Sequence, residues 1–211
     1  MKRFWIIIGC VLLVLSGIES FAANTMTDLT KSLVRLHVRA EDDSATAQEN
    51  KLKVRDRIIE VFGAELSAQK DTETVRTYIR THLNEFEAVA EEELRRLGAD
   101  NDVTVSFEKT SFNTREYGDI RLPAGTYDAL NIVIGKGEGK NWWCVLFPPL
   151  CFVEDAKGAL PAESEALLKK NLDTDTYELI QKDGSLKVEL RFKLVELWET
   201  AKLKTALGGS K

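Results

Sequence analysis

Histidine is nearly missing from this chain, and that scarcity narrows its chemistry first. Among 211 residues there are two histidines, His37 and His82, and three cysteines, Cys10, Cys144 and Cys151. His37 sits among charged residues and His82 beside Leu83, and nothing in the spacing brings either to a cysteine, as a Cys–His nucleophile pair requires. No Cys-x-x-Cys is present, so the usual redox spacing is missing. The carboxylates Glu41, Asp42 and Asp43 cluster without the alternating ligand spacing of a calcium loop and read as a solvated turn. Positive charge is not in excess either. The net charge is −5, and loss of Lys2 and Arg3 with an N-terminal segment would make it more acidic, which disfavours nucleic acid as a partner. The expectation is no catalytic constellation, no metal, no cofactor and no small-molecule substrate.

One glycine-rich stretch tests that expectation. Gly135-Lys136-Gly137-Glu138-Gly139-Lys140 invites a phosphate loop, whose backbone amides wrap phosphates ahead of a Ser/Thr hydroxyl. Ile134 stands where the first glycine belongs and Asn141 where the hydroxyl belongs. A mobile hairpin loop is expected instead.

What the chain does have begins at its N-terminus. Met1-Lys2-Arg3 precedes an apolar run from Phe4 to Ile18, with small residues after it at Ser20-Phe21-Ala22-Ala23. That layout describes an export signal over residues 1–23. An uncleaved anchor is the other reading, although the run is shorter than the roughly 20 residues that span a bilayer comfortably. No second apolar run is long enough to span a membrane, so membrane contact is expected through this segment alone.

Residues 24–32 read as polar and loose. Val34, Leu36, Val38 and Ala40 then alternate with Arg35, His37 and Arg39, which predicts a strand with one buried face. Val54, Ile58, Val61 or Phe62, and Leu66 recur at helical spacing. Asp71 caps a second expected helix with its stripe at Val75, Ile79, Leu83, Phe86, Ala90, Leu94 and Leu97, with Arg95 and Arg96 in the last turn and Gly98 as the stop. Val103 to Phe107, Asp119 to Leu122 and Tyr127 to Ile134 read as strands, the last buried on both faces or nearly so. Glu163 to Leu172 reads as a helix, Leu186 to Leu194 as an alternating strand, and Glu196 to Ala206 as a closing helix. The order β-α-α-β-β-β-α-β-α predicts an α+β fold with a mostly antiparallel sheet and two long N-terminal helices packed on it. Residues 24–155 form the expected domain, with 156–211 a strand-helix extension of it.

The densest signal is Asn141-Trp142-Trp143-Cys144-Val145-Leu146-Phe147-Pro148-Pro149-Leu150-Cys151-Phe152, which carries no charge. An even cysteine count beyond the signal of an exported chain points to a Cys144–Cys151 disulfide, with two buried reduced thiols as the alternative. Rigid aromatics make good contact anchors, so Trp142, Trp143, Phe147, Pro148, Pro149 and Leu150 are candidates for a partner surface. The competing reading places Trp142, Trp143, Phe147 and Phe152 in the domain core.

The stretch from Leu130 through Gly135-Lys136-Gly137-Glu138-Gly139-Lys140-Asn141-Trp142-Trp143-Cys144 to Phe152 resembles the stage II sporulation protein R family. So do Leu122-Pro123-Ala124-Gly125-Thr126-Tyr127, Arg35-Leu36-His37-Val38 and Lys51-Leu52-Lys53-Val54-Arg55-Asp56. Glu41-Asp42 departs from the family's Asn-Ser, and Asn113 from a usual proline. The resemblance implies a protein exported from the forespore into the space between two sporulation membranes. There it would activate a membrane-embedded aspartic protease of the mother cell, which cleaves the sigma-E precursor. It would be a signal and not an enzyme. The alternative is an exported envelope enzyme, a cell-wall hydrolase or thiol oxidoreductase, using Cys144 as a free thiol.

Overall fold

The structure is a computed structural model that describes residues 2–69, 71–151, 160–182 and 185–208, with the backbone alone at 206–208. It is an α+β fold. In chain order it has helix α1 (Lys2–Ser32), strand β1 (Val34–Arg39), helices α2 (Ala45–Ser67), α3 (Thr72–Thr81) and α4 (Leu83–Arg96), strands β2 (Val103–Phe112), β3 (Arg115–Tyr117), β4 (Ile120–Leu122), β5 (Gly125–Ile134) and β6 (Asn141–Phe147), then helices α5 (Ala162–Asn171), α6 (Thr174–Ile180) and α7 (Leu186–Gly208).

Four strands form one sheet in the order β2-β5-β1-β6, and β3 pairs with β4 in a small ribbon. Two of the three neighbours in the large sheet are antiparallel, β2 with β5 and β1 with β6. The central pair, β1 with β5, is parallel, with Leu36 beside Leu130 and Val38 beside Ile132. Both central strands are covered on both faces, so β5 is apolar on both sides and β1 buries Arg35 and His37 opposite Leu36 and Val38. Leu36, Val38, Leu130 and Ile132 are fully buried, and α2, α3 and α4 pack on that side.

Local signals set the helix boundaries. The Ser44 side chain accepts from the Ala47 amide and caps α2; Asp71 does the same for α3 from Thr74. Such caps are worth about 1 kcal/mol each. Gly98, at φ 75°, follows the end of α4.

Several expectations are corrected. The expected second helix is two, because the chain breaks at His82 (φ −118°, ψ 19°). The His82 ring stacks on Tyr78 at 4.1 Å and its Nδ1 lies 2.7 Å from the Tyr78 carbonyl oxygen. Residues 24–32 are the last turns of α1, not a loose lead-in. Ala22, Thr25, Met26, Leu29 and Ser32 form a buried helical stripe within a polar-looking sequence, and the Ser32 hydroxyl donates to the Asn171 carbonyl at 2.6 Å. The expected strand Leu186–Leu194 is the start of α7. Its true core positions are Val188, Phe192 and Val195, which recur at helical spacing, while Leu186 and Leu190 point outward. Strands β3 and helix α6 carried too little periodicity to be foreseen. Phe152 lies outside the described residues.

Candidate functional site

The acidic turn after β1 and the glycine loop before β6 are built into each other. The Lys136 amide donates to Glu41 Oε2 at 3.0 Å and the Lys140 amide to Asp43 Oδ1 at 2.7 Å. Glu138 and Gly139 donate their amides to the carbonyls of Glu41 and Ala40, each at 3.0 Å. Asn101 Nδ2 adds a bond to Glu41 Oε2 at 3.1 Å. The glycines are there for fit. A Cβ on Gly139 would stand 2.1 Å from the Asp42 carbonyl oxygen, and one on Gly135, at φ 54°, would strike the Glu41 carboxylate. The loop is therefore a tied cradle and not the free hairpin loop expected. Asp42 is held below the ordinary carboxylate range by hydrogen bonds from Ser44. Lys51 of α2 closes the cradle by donating to the Lys140 carbonyl at 3.0 Å, and burial lowers its pKa.

This cradle delivers β6 to the edge of the sheet in one register, with Trp142 opposite Val38 and Trp143 opposite His37. Successive side chains of a strand take opposite faces. Trp142 accordingly meets α2, where the Arg55 guanidinium sits 4.1 Å from its ring centroid. Trp143 lies on the other face, stacked on His37 with centroids 3.7 Å apart and planes 7° from parallel, and Phe112 meets it edge-on at 4.8 Å. The His37 ring is held between two amides, Nδ1 3.1 Å from Asn131 Oδ1 and Nε2 2.9 Å from Asn141 Oδ1. Burial pushes the His37 pKa below its ordinary value.

Arg35 supports β6 from beneath. It is fully buried, donates from Nε to the Cys144 carbonyl at 3.1 Å and from Nη2 to the Tyr117 hydroxyl at 2.8 Å. Its guanidinium lies 4.2 Å from the Phe112 ring centroid and 5.0 Å from that of Tyr127, which spreads its charge over aromatic faces. Burial raises the Tyr117 pKa despite the Arg35 charge. Arg35 Nη1 and Trp142 Nε1 are buried without a hydrogen-bond partner among the described residues. Sequence reading placed Arg35 on a charged strand face; its burial follows from β1 being central and covered on both sides, which the strand's own alternation does not reveal.

Beyond β6 the chain turns sharply. The Phe147–Pro148 peptide is cis, the Leu150 amide donates back to the Val145 carbonyl at 3.0 Å, and Cys144 and Cys151 form a disulfide with Cα atoms 5.2 Å apart. Ser164 of α5 donates to the Pro149 carbonyl at 2.6 Å. A cleft of about 270 Å³ opens beside the bridge, lined by Ile59, Gly63, Leu146, Pro149, Cys151 and Pro161 among others.

The six aromatic and proline-turn residues singled out in the sequence do not share one surface. Trp142, Trp143 and Pro149 are half-buried, whereas Phe147, Pro148 and Leu150 are buried. Phe147 and Leu150 belong to the core. Asn141 is exposed beside the tryptophans. The arrangement offers a rigid aromatic edge and no nucleophile at Cys144, whose sulfur is bridged and buried.

The family profile described as Stage II sporulation protein R matches residues 30–157, a span that takes in β1, the cradle, β6 and the bridge. A curated relative, Stage II sporulation protein R of Bacillus subtilis (strain 168), is 36% identical over 156 residues, covering 74% of this chain and 68% of the relative. No solved structure matches the chain.

Proposed function

Because the chain belongs to the stage II sporulation protein R family, we propose that it is an exported sporulation signal that works by contact and not by catalysis. Its receptor in this reading is the membrane-embedded aspartic protease of the mother cell, which then cleaves the sigma-E precursor. The forespore exports it into the space between the two sporulation membranes. The N-terminal apolar helix, compatible with a signal or membrane segment, supports export.

The observation that carries the contact reading is the fixed edge at Asn141, Trp142 and Trp143. Edge strands present unpaired backbone groups to a partner, and preordered aromatics lose little entropy on docking. The cradle, Arg35 and the disulfide hold this edge in place before any partner arrives. Phe147, Pro148 and Leu150 serve it from the core, as the support on which it is mounted. The competing envelope-enzyme reading needs Cys144 as a thiolate, and the Cys144–Cys151 bridge speaks against it.

The test is photo-crosslinking in cells that express both proteins. A photoreactive residue at Asn141 should capture the protease, and one at exposed Glu92 on the outer face of α4 should not. Equal capture from both positions, or none from Asn141, would contradict the reading.

A further inference from the structure

Helix α1 does not stop where the domain begins. It runs unbroken from Lys2 to Ser32 and changes character on the way. Phe4, Trp5, Leu12 and Leu13 are exposed, while Ala22, Met26 and Leu29 are buried in the domain. The same rod is thus an apolar segment, long and apolar enough to cross a membrane, and a core helix. The small-residue cleavage positions at Ala22 and Ala23 fall inside it.

Helix α7 lies beside α1 and runs in the same direction. The Arg191 guanidinium sits 5.0 Å from the Phe21 ring centroid. Further along both helices, Trp198, Glu199 and Lys202 meet Ala23, Met26, Thr27 and Thr30 around a shared cleft. The first turns of α7 therefore point toward the apolar end of α1. Ser185 begins them, its hydroxyl accepting from the Val188 amide at 3.3 Å. Val188, Phe192 and Val195 face the core, but Leu186 is 74% exposed and Leu190 57% exposed, with exposed Lys187 between them.

We propose that α1 is retained as an anchor and that the opening turns of α7, through Leu186, Lys187 and Leu190, rest in the headgroup layer of the same phospholipid bilayer. Depth supports this. At 1.5 Å per residue the charge-free run from Phe4 to Ile18 is about 22 Å long, short of the roughly 30 Å hydrocarbon core. A short span draws its flanks toward the bilayer. Phe21, level with Arg191, is about 4.5 Å beyond Ile18, and Leu186 lies about 7.5 Å back from Arg191 along α7. Leu186 thus comes level with the last turn of the span, and Leu190 about 3 Å beyond its end, at headgroup depth. Because α7 stands alongside α1, its opening end meets the headgroups, with the leucines toward the acyl boundary and the Lys187 amine reaching to phosphate. Of the acidic groups nearby, Glu189 pairs with Arg121 at 3.0 Å and Asp175 lies 3.9 Å from Arg191, while Glu19 and Glu178 are exposed and turn to water. Leu197, also exposed, is about 16 Å further along α7 from Leu186 and stands clear of the bilayer. Lys2 and Arg3 stay on the cytoplasmic side. Because the buried half of α1 is part of the core, the domain is mounted rigidly on the membrane and not held on a leash. This inference is independent of which receptor is touched.

The test uses the full chain in phospholipid vesicles. On a Cys10→Ser background, Leu186→Cys, Leu190→Cys and Leu197→Cys are each labelled with an environment-sensitive fluorophore and challenged with a lipid-borne quencher. Labels at 186 and 190 should be quenched several-fold more than the label at 197. Water-like emission at 186 and 190 would overturn the proposal. So would equal quenching at all three positions, or a blue shift without lipid quenching, which would mark a protein partner such as a second copy. Intact mass of the exported protein supplies the other arm: the whole chain is expected, and a protein beginning after Ala22 or Ala23 contradicts retention.

Discussion

Trp143 lies flat against His37, ring on ring at 3.7 Å, so the edge strand of the sheet is locked to its central strand through a face that also carries Asn131 and Asn141. The stack joins stability to the candidate contact surface. Trp143→Ala should cost about 2–3 kcal/mol, less than for a fully buried aromatic because the ring is half-exposed. Trp143→Phe should recover most of that. Urea unfolding of the two variants checks it, and equal stability of Trp143→Ala and the parent would remove the stack from the account.

His37 gives a pH dependence of known sign. Burial lowers its folded pKa below the ordinary 6.5, so between those two values the unfolded chain binds more protons than the folded one. Stability is then greatest above about pH 6.5 and falls as pH drops toward the folded pKa. The melting temperature should decline from pH 7 to pH 5. His37→Gln, which cannot take up a proton there, should show a shallower decline. A variant that tracks the parent at every pH would mean that other groups set the slope.

The glycine cradle predicts an uneven glycine scan. Gly139→Ala sets a methyl group against the Asp42 backbone and should cost about 2 kcal/mol or more, since backbone must move. Gly63→Ala, whose added carbon meets only Ile59 at 3.5 Å, should be neutral or stabilising, as expected inside a helix. Thermal unfolding of both variants is the check; equal effects would dissolve the cradle.

The disulfide closes a short ring, with a sequence separation of 7. Cys144→Ser with Cys151→Ser should lose about 2.5 kcal/mol in the loop-entropy model. In the folded parent, maleimide should leave Cys144 and Cys151 unlabelled until reductant is added. Labelling of Cys144 without reductant would revive the thiol-enzyme reading.

The parts of this molecule that were legible in the sequence are those where one residue does one local job. Asp71 capped its helix and Gly98 ended the next because caps are settled within a turn. Tyr127 to Ile134 read as a doubly buried strand because nearly every position is apolar. Leu186 to Leu194 misled because its exposed leucines fill the gaps in a helical stripe and counterfeit a period of two; what decides is packing on α1 and α6, which no local pattern records. Residues 24–32 misled for the opposite reason, since Thr25 and Ser32 are buried polar groups and the partners of Ser32, Asn171 and Thr72, lie far along the chain. At the candidate site, Trp142, Trp143 and the cysteines were visible by type. Arg35 and the Glu41–glycine cradle were not, because their roles depend on which strand is central and on which turn the loop meets.

The central claim is that the Asn141–Trp143 edge is the surface that activates the protease. Processing of the sigma-E precursor in cells making the protein with Trp142→Ala tests it most directly, with export and unfolding midpoint measured on the same variant. A loss of processing of tenfold or more, in a variant exported and folded like the parent, is the predicted result. Processing at the parental level by that folded variant would contradict the account.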